Sequence, residues 1–124
     1  MTGDSFSKKF RLRKRSEFLR LSRLGTKRED RHFIFVFYPG VGHSRLGITV
    51  TRKVGNAATR NRIKRQIREF FRRNHHQLKL ALDINIIVKK GAAATASADM
   101  IDSLNQLFKQ LCAINDKKDF FAHN

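Results

Sequence analysis

The sequence predicts an α+β fold: a single layer of mixed sheet packed by helices, with elements in the order α-β-β-α-β-α. Two segments, from Ala57 and from Ser97, carry apolar residues every three to four positions, the period of a helix with one buried face. Three shorter runs are dense in β-branched and aromatic residues and are bounded by Gly or Pro, as strands are. Neither an internal repeat nor a separating linker divides the 124 residues, so they have the size of one domain with one modest core.

The elements follow in order. Residues 1–9 are polar and are expected to form a flexible basic tail, leaving residues 10–114 as the domain. Ser16 and Glu17 resemble a helix start, and Phe18, Leu19, Leu21 and Leu24 supply apolar positions until Gly25. Arg31 to Tyr38 reads as a strand closed by Pro39 and Gly40, and Arg45 to Arg52 as a second. With Gly40, Gly42 and Ser44 between them, the two are expected to pair as an antiparallel hairpin. Gly55-Asn56 then leads into the helix whose stripe is Ile63, Ile67, Phe70, Phe71, Asn74 and Leu78, fraying near His75-His76. Asp83 to Lys90 is a third strand, closed by Gly91. Ser97 to Ile114 is the last helix, and residues 115–124 are expected to be a flexible tail.

Charge narrows the function. Twenty-seven Lys and Arg against ten Asp and Glu leave a net +17, which calls for a polyanionic partner. No apolar run approaches the ~20 residues of a membrane-spanning helix, and Met1 to Phe10 lacks the apolar stretch of a signal peptide. Cys112 is the only cysteine, so no internal disulfide forms, and a reduced, cytoplasmic setting is expected.

The cations are concentrated. Between Arg60 and Arg73 seven basic residues meet only Glu69, with Arg60, Lys64, Arg68 and Arg72 at i, i+4 spacing, expected opposite the apolar stripe. A solvated helix face normally mixes signs to form i, i+4 pairs, so this one is read as a nucleic-acid surface. Guanidinium forks suit phosphates, Asn61 suits a sugar or base edge, and the helix start after Gly55-Asn56 offers amides. A second basic stretch, Lys8 to Arg23, interleaves Phe6, Phe10 and Phe18, the mixture that single-stranded nucleic acid uses. Phe33, Phe35 and Phe37 share one sheet face and Ile34, Val36 and Tyr38 the other. The pattern leaves open which face is core. Paired carboxylates for acid–base work, a metal-ligand cluster and a Gly-rich phosphate loop are all missing from the sequence.

The run R-L-G-I-T-V-T-R-K-V-G-N-A-A-T-R-N-R-I-K-R-Q-I-R-E-F-F, Arg45 to Phe71, resembles the signature of the bacterial ribonuclease P protein component. Its Arg60-Asn61-Arg62 core is that family's hallmark. Phe10 to Phe18, Arg31 to Phe37 and Asp83 to Gly91 match in the same order, so the resemblance spans about residues 8 to 112. It implies a left-handed βαβ crossover, like a domain of a ribosomal protein. It also implies a two-part endoribonuclease in which a catalytic RNA subunit, with Mg2+ bound mainly by that RNA, cuts the 5′ leader from precursor tRNA. No membrane and no protein partner are implied, and no residue of this chain is expected to be catalytic.

By the same resemblance, Arg60, Asn61, Arg62, Lys64, Arg65 and Arg68 face the RNA subunit. Phe18, Phe33, Arg52, Lys53, Arg11 and Arg13 belong to or border a cleft for the single-stranded leader. Ser22 and Val36 stand where some members carry further aromatics, so the leader contact is expected to be less aromatic here, with Phe35 or Phe37 compensating. The alternative is a ribosomal or general RNA-binding protein, which composition alone fits equally.

Overall fold

The computed structural model describes residues 7–120, so the outer parts of both expected tails, Phe6 included, lie outside the described residues. The helices are α1 (Arg15–Leu24), α2 (Ala57–Asn74) and α3 (Ser97–Cys112). The strands are β1 (Thr26–Glu29), β2 (Phe33–Pro39), β3 (Arg45–Thr49) and β4 (Leu82–Val88), forming one mixed sheet in the order β1-β2-β4-β3.

The expected hairpin is therefore corrected. The Gly42 turn (φ 81°) does reverse the chain, but β4 inserts between β2 and β3, antiparallel to the first and parallel to the second. The central position is covered on both sides, and β4 meets it with Ile84, Asn85 and Ile86 all buried. β3 carries Arg45, Gly47 and Thr49 on one face and suits an outer position. The parallel pair β3–β4, joined through α2, is the βαβ unit. The sequence reading also missed β1, whose Thr-Lys-Arg-Glu offers no apolar alternation. It pairs with β2 at the sheet edge, where charged side chains are suited to a solvated rim.

Strand alternation resolves the two faces. Phe33, Phe35 and Phe37 join Ile84, Ile86 and Leu46 beneath α2 and α3, with Ile63, Ile67, Phe71, Leu104, Leu107 and Leu111 closing the main core. On the other face Val36 packs against Leu21 of α1 and against Leu12, with Phe18, Ile34, Tyr38 and Ile87 at the margin.

Two clasps position α1 and the segment before it. α1 begins at Arg15 rather than Ser16, because the Glu17 carboxylate accepts from the Arg13 and Lys14 amides, both at 3.2 Å. The same carboxylate takes Arg45 Nη1 at 2.6 Å, while Arg45 Nε and Nη2 donate to both oxygens of Asp83 at 3.0 and 2.9 Å. Those bonds, Asp83 first, hold the Arg45 guanidinium well above its ordinary pKa. Partial burial pushes the Glu17 carboxyl up, but the Lys14 amide and Arg45 outweigh it and leave its pKa lowered. Upstream, the Leu12 amide donates to Leu46 O at 2.9 Å, so the segment after Phe10 runs alongside β3.

The chain ends carry more packing than their composition suggests. Lys8–Phe10 and Lys117–Phe120 are short 3-10 turns. Phe10 packs on His43 and His75, with ring centroids 5.4 and 5.1 Å apart, and Phe120 on Phe37 and Tyr38.

Candidate nucleic-acid interface

α2 places the cations. Asn56 caps it by accepting from the Thr59 amide at 2.9 Å, and Ile63, Ile67, Phe70 and Phe71 fix its rotation by burying one stripe. The basic residues then divide among three directions. Arg60, Lys64 and Arg68 are half-buried on the flank toward β3, not opposite the core as the spacing implied. Asn61, Arg62, Arg65, Arg72 and Arg73 are exposed. Arg60 Nη1 donates to Gly55 O at 2.8 Å, which ties part of its guanidinium to the turn before the helix.

On the β3 flank a shallow groove of about 110 Å³ is lined by Arg11, Leu12, Phe18, Leu46, Gly47, Ile48, Lys64 and Arg68. It joins residues that the sequence reading had divided between two roles: Arg11 and Phe18 on one side, Lys64 and Arg68 on the other. Partial burial and the adjacent Arg11 cation both push the Arg68 guanidinium below its ordinary pKa. Like charges held together beside an aromatic ring make a place where a phosphate lowers the energy.

Gly47 makes the groove possible. A Cβ there would lie 2.4 and 2.7 Å from the Phe18 ring and 3.3 Å from Leu12 Cβ, so only glycine lets the ring lie on β3. This residue was missed as part of the site, although a glycine inside a strand is itself a signal of close approach. Also missed were Thr49 and Asn85, on the same sheet face, where Thr49 Oγ1 donates to Asn85 Oδ1 at 3.2 Å.

The remaining residues fall into place unequally. Arg13 is exposed just before α1, and Arg52 and Lys53 are exposed in the 3-10 turn after β3. The expectation for Phe33 is corrected: it has 0% exposure on the opposite face, beneath α2 and α3, so its ring cannot stack on a base. All three strand phenylalanines are core, which leaves Phe18 as the phenylalanine lining the groove.

A buried contact, His32 Nδ1 to Ser103 Oγ at 2.6 Å, brings histidine and serine together elsewhere. Nearby Asp30 accepts from the His32 and Phe33 amides at 2.8 and 3.0 Å. Burial raises the Asp30 pKa, but those amides and Ser103 outweigh it and keep it lowered. Asp30 thus bonds main-chain amides rather than orienting the imidazole, and the cluster fastens the β1–β2 turn to α3. Among the described residues no group of three or more His, Cys, Asp or Glu is placed to hold a metal ion, and no helix is long and apolar enough to cross a membrane.

Fold and site define a small α+β RNA-binding protein, with a rigid cationic helix set beside an aromatic-lined groove. The family profile described as Ribonuclease P matches residues 6–112. A ribonuclease P protein component from Desulfatibacillum aliphaticivorans is 50% identical over 112 residues, covering 90% of this chain and 95% of the relative. That of Thermotoga maritima is 41% identical over 88 residues, covering 70% and 75%. The solved ribonuclease P protein of Staphylococcus aureus superposes with a TM-score of 0.76 at 35% identity, covering 81% of this chain and 93% of that one. The chain belongs to the ribonuclease P protein family, the protein component of a tRNA-processing ribonuclease.

Proposed function

We propose that this chain acts beside a catalytic RNA, holding that RNA with the outward face of α2 and the leader of precursor tRNA in the β3 groove. Asn61, Arg62 and Arg65 face the RNA subunit, and Arg60 adds to them while anchoring its own helix start. Phe18 stacks on a leader base, Arg11 and Arg68 take its phosphates, and Lys64 lies between the two RNAs. Arg13, Arg52 and Lys53 extend the cationic track along segments that lead away from the groove.

The observation that carries this reading is the convergence of Arg11 and Arg68 beside Phe18. A single strand offers that combination what it needs, since bases stack while phosphates pair. Membership of the family supplies the rest. Chemistry is proposed to lie in the RNA, and the Mg2+ it uses to be bound mainly there, a reading that rests on membership of the family. A cytoplasmic location accords with the nucleic-acid partners.

The test is cleavage of precursor tRNA at low magnesium with the protein alone, a bacterial ribonuclease P RNA alone, and both together. Cleavage only in the mixture is expected. Cleavage by the protein alone would place the chemistry in this chain, and failure to stimulate the RNA would remove the subunit reading.

A further inference from the structure

The far side of α2 carries a second concavity, which neither the sequence nor the leader groove accounts for. A groove of about 560 Å³ runs between α2 and α3. Phe70 of α2 and Ile101 of α3 give it apolar surface, Arg62 and Arg65 line its α2 wall, and Asn105 stands on the α3 side. Phe70 is held in place by Phe108, edge-on with centroids 5.4 Å apart, so that part of the lining is rigid.

Three features suit this groove to a ligand. First, the one acid in its wall is already occupied: Glu69 accepts from Arg72 at 2.9 and 2.7 Å and from Arg73 at 2.7 Å. Arg72 and then Arg73 hold its carboxyl down at about 2, so it remains an anion bound to those two cations. Second, among the described residues Arg62 and Arg65 make no ion pair or hydrogen bond. Two unengaged guanidiniums beside an apolar surface are matched to a group with a flat apolar part and an anionic part. Third, the Gln66 amide donates from Nε2 to Ser97 Oγ at 3.0 Å, while its Oε1 is buried without a hydrogen-bond partner. Turning toward a donor in the groove would satisfy that oxygen.

We infer that the α2–α3 groove receives one unpaired nucleotide of the RNA subunit, with its base over Ile101 and Phe70 and its phosphate on Arg62 and Arg65. α3 is then part of the RNA interface, with Asn105 as a base-edge contact, and not only scaffold. The inference rests on the reading that α2 faces the RNA subunit and adds an apolar, base-accepting site to it.

Two experiments separate the inference from that reading. In the first, the whole chain is titrated with adenosine 5′-monophosphate and, separately, with inorganic phosphate, following the Ile101 methyl and Asn105 side-chain amide signals by NMR. The nucleotide is expected to move both signals and phosphate to leave the methyl in place. Equal movement with the two probes, or none with the nucleotide, overturns the base site. In the second, affinity for a ribonuclease P RNA is measured for Ile101→Ser, Asn105→Asp and the double variant Arg62→Ala/Arg65→Ala, with thermal unfolding as the control for folding. Asn105 is exposed, so its replacement leaves the core intact. Losses on the order of tenfold are expected at Ile101 and Asn105, the scale of one stacked base. Wild-type affinity at those two positions with weakened binding in the arginine variant overturns the groove and leaves the α2 reading standing. Unchanged affinity in all three overturns both.

Discussion

At the residue scale the site depends on an absence, the missing side chain at Gly47. Any Cβ there meets the Phe18 ring at 2.4 Å, and the ring is backed by Leu12 and so has little room to retreat. Gly47→Ala is expected to destabilise the fold by about 1–3 kcal/mol, as overpacking does, measured by urea unfolding. In Phe18→Ala the same change should cost much less, because the clash has been removed. A double-mutant cycle showing additive losses would mean that the glycine serves the backbone instead. Phe18→Ala alone should weaken binding of precursors with long leaders by ~1–3 kcal/mol and leave tRNA lacking a leader unaffected. Equal loss on both substrates would give the ring a purely structural role. The sequence marked Phe18 through its basic surroundings, whereas the family resemblance, not the residue pattern, put Phe33 at the cleft. Alternation shows that Phe33, Phe35 and Phe37 share a face without showing which face the larger helices cover.

At the scale of elements, α2 and α3 were legible because their apolar period persists over several turns. α1 was legible to within a residue, since its Glu17 cap lies in the local sequence. Pairing between strands was not. The β2–β3 connection has the glycines of a hairpin, and only the arrival of β4, more than 30 residues later, decides that the two strands are kept apart. The end of α2 illustrates what such remote contacts do. His75 stacks on Phe71 with centroids 5.4 Å apart and touches Phe10, while Nε2 of neighbouring His43 donates to Lys9 O at 2.6 Å. Burial, then His76 and His43, push the His75 pKa below its ordinary 6.5. The fold thus disfavours protonated His75, so its contribution to stability is present above pH 6.5 and is lost as pH falls below it. Between pH 7.5 and 5.5 the urea midpoint should therefore drop, with the protection of the Leu12 amide against hydrogen exchange, relative to its intrinsic rate at each pH, falling as the Phe10 segment loosens. His75→Phe should flatten that dependence. An unaltered pH profile in this variant would assign the effect to other histidines.

The division of α2 into a β3 flank and an outward face yields a second prediction for that element. Arg62 and Arg65 are exposed and unengaged among the described residues, whereas Arg60 is partly committed to Gly55 O. Removing Arg62 or Arg65 should lower the slope of log affinity for the RNA subunit against log salt by about 0.7–0.9 per residue. Arg60→Ala should instead combine a smaller change in slope with a loss of helix stability. A full slope change at Arg60 with no effect on unfolding would show that its bond to Gly55 is incidental.

At the scale of the whole molecule, half of the ten acids fasten the scaffold. Glu17 and Asp83 hold Arg45, Glu69 holds Arg72 and Arg73, Glu29 holds Lys89, and Asp30 holds the turn between β1 and β2. All ten acids together offset only ten of the 27 Lys and Arg, so the +17 is an unbalanced field in which the free fold repels itself. Screening by salt relieves this repulsion without requiring a site, whereas binding of a multivalent anion adds RT ln(1 + [L]/Kd) to stability. Pyrophosphate and sodium chloride compared at equal ionic strength distinguish the two effects. Pyrophosphate is expected to raise the unfolding temperature by a few degrees more, since about 2.7 kcal/mol accrues at a hundredfold excess over Kd. The excess should shrink in Arg11→Ala and Arg68→Ala, whose guanidiniums converge in the groove, and persist in Arg28→Ala, an exposed arginine on the edge strand β1. Equal unfolding temperatures in the two salts would mean that the field is diffuse, and that the convergence of charge beside Phe18 gives no anion site in the free protein.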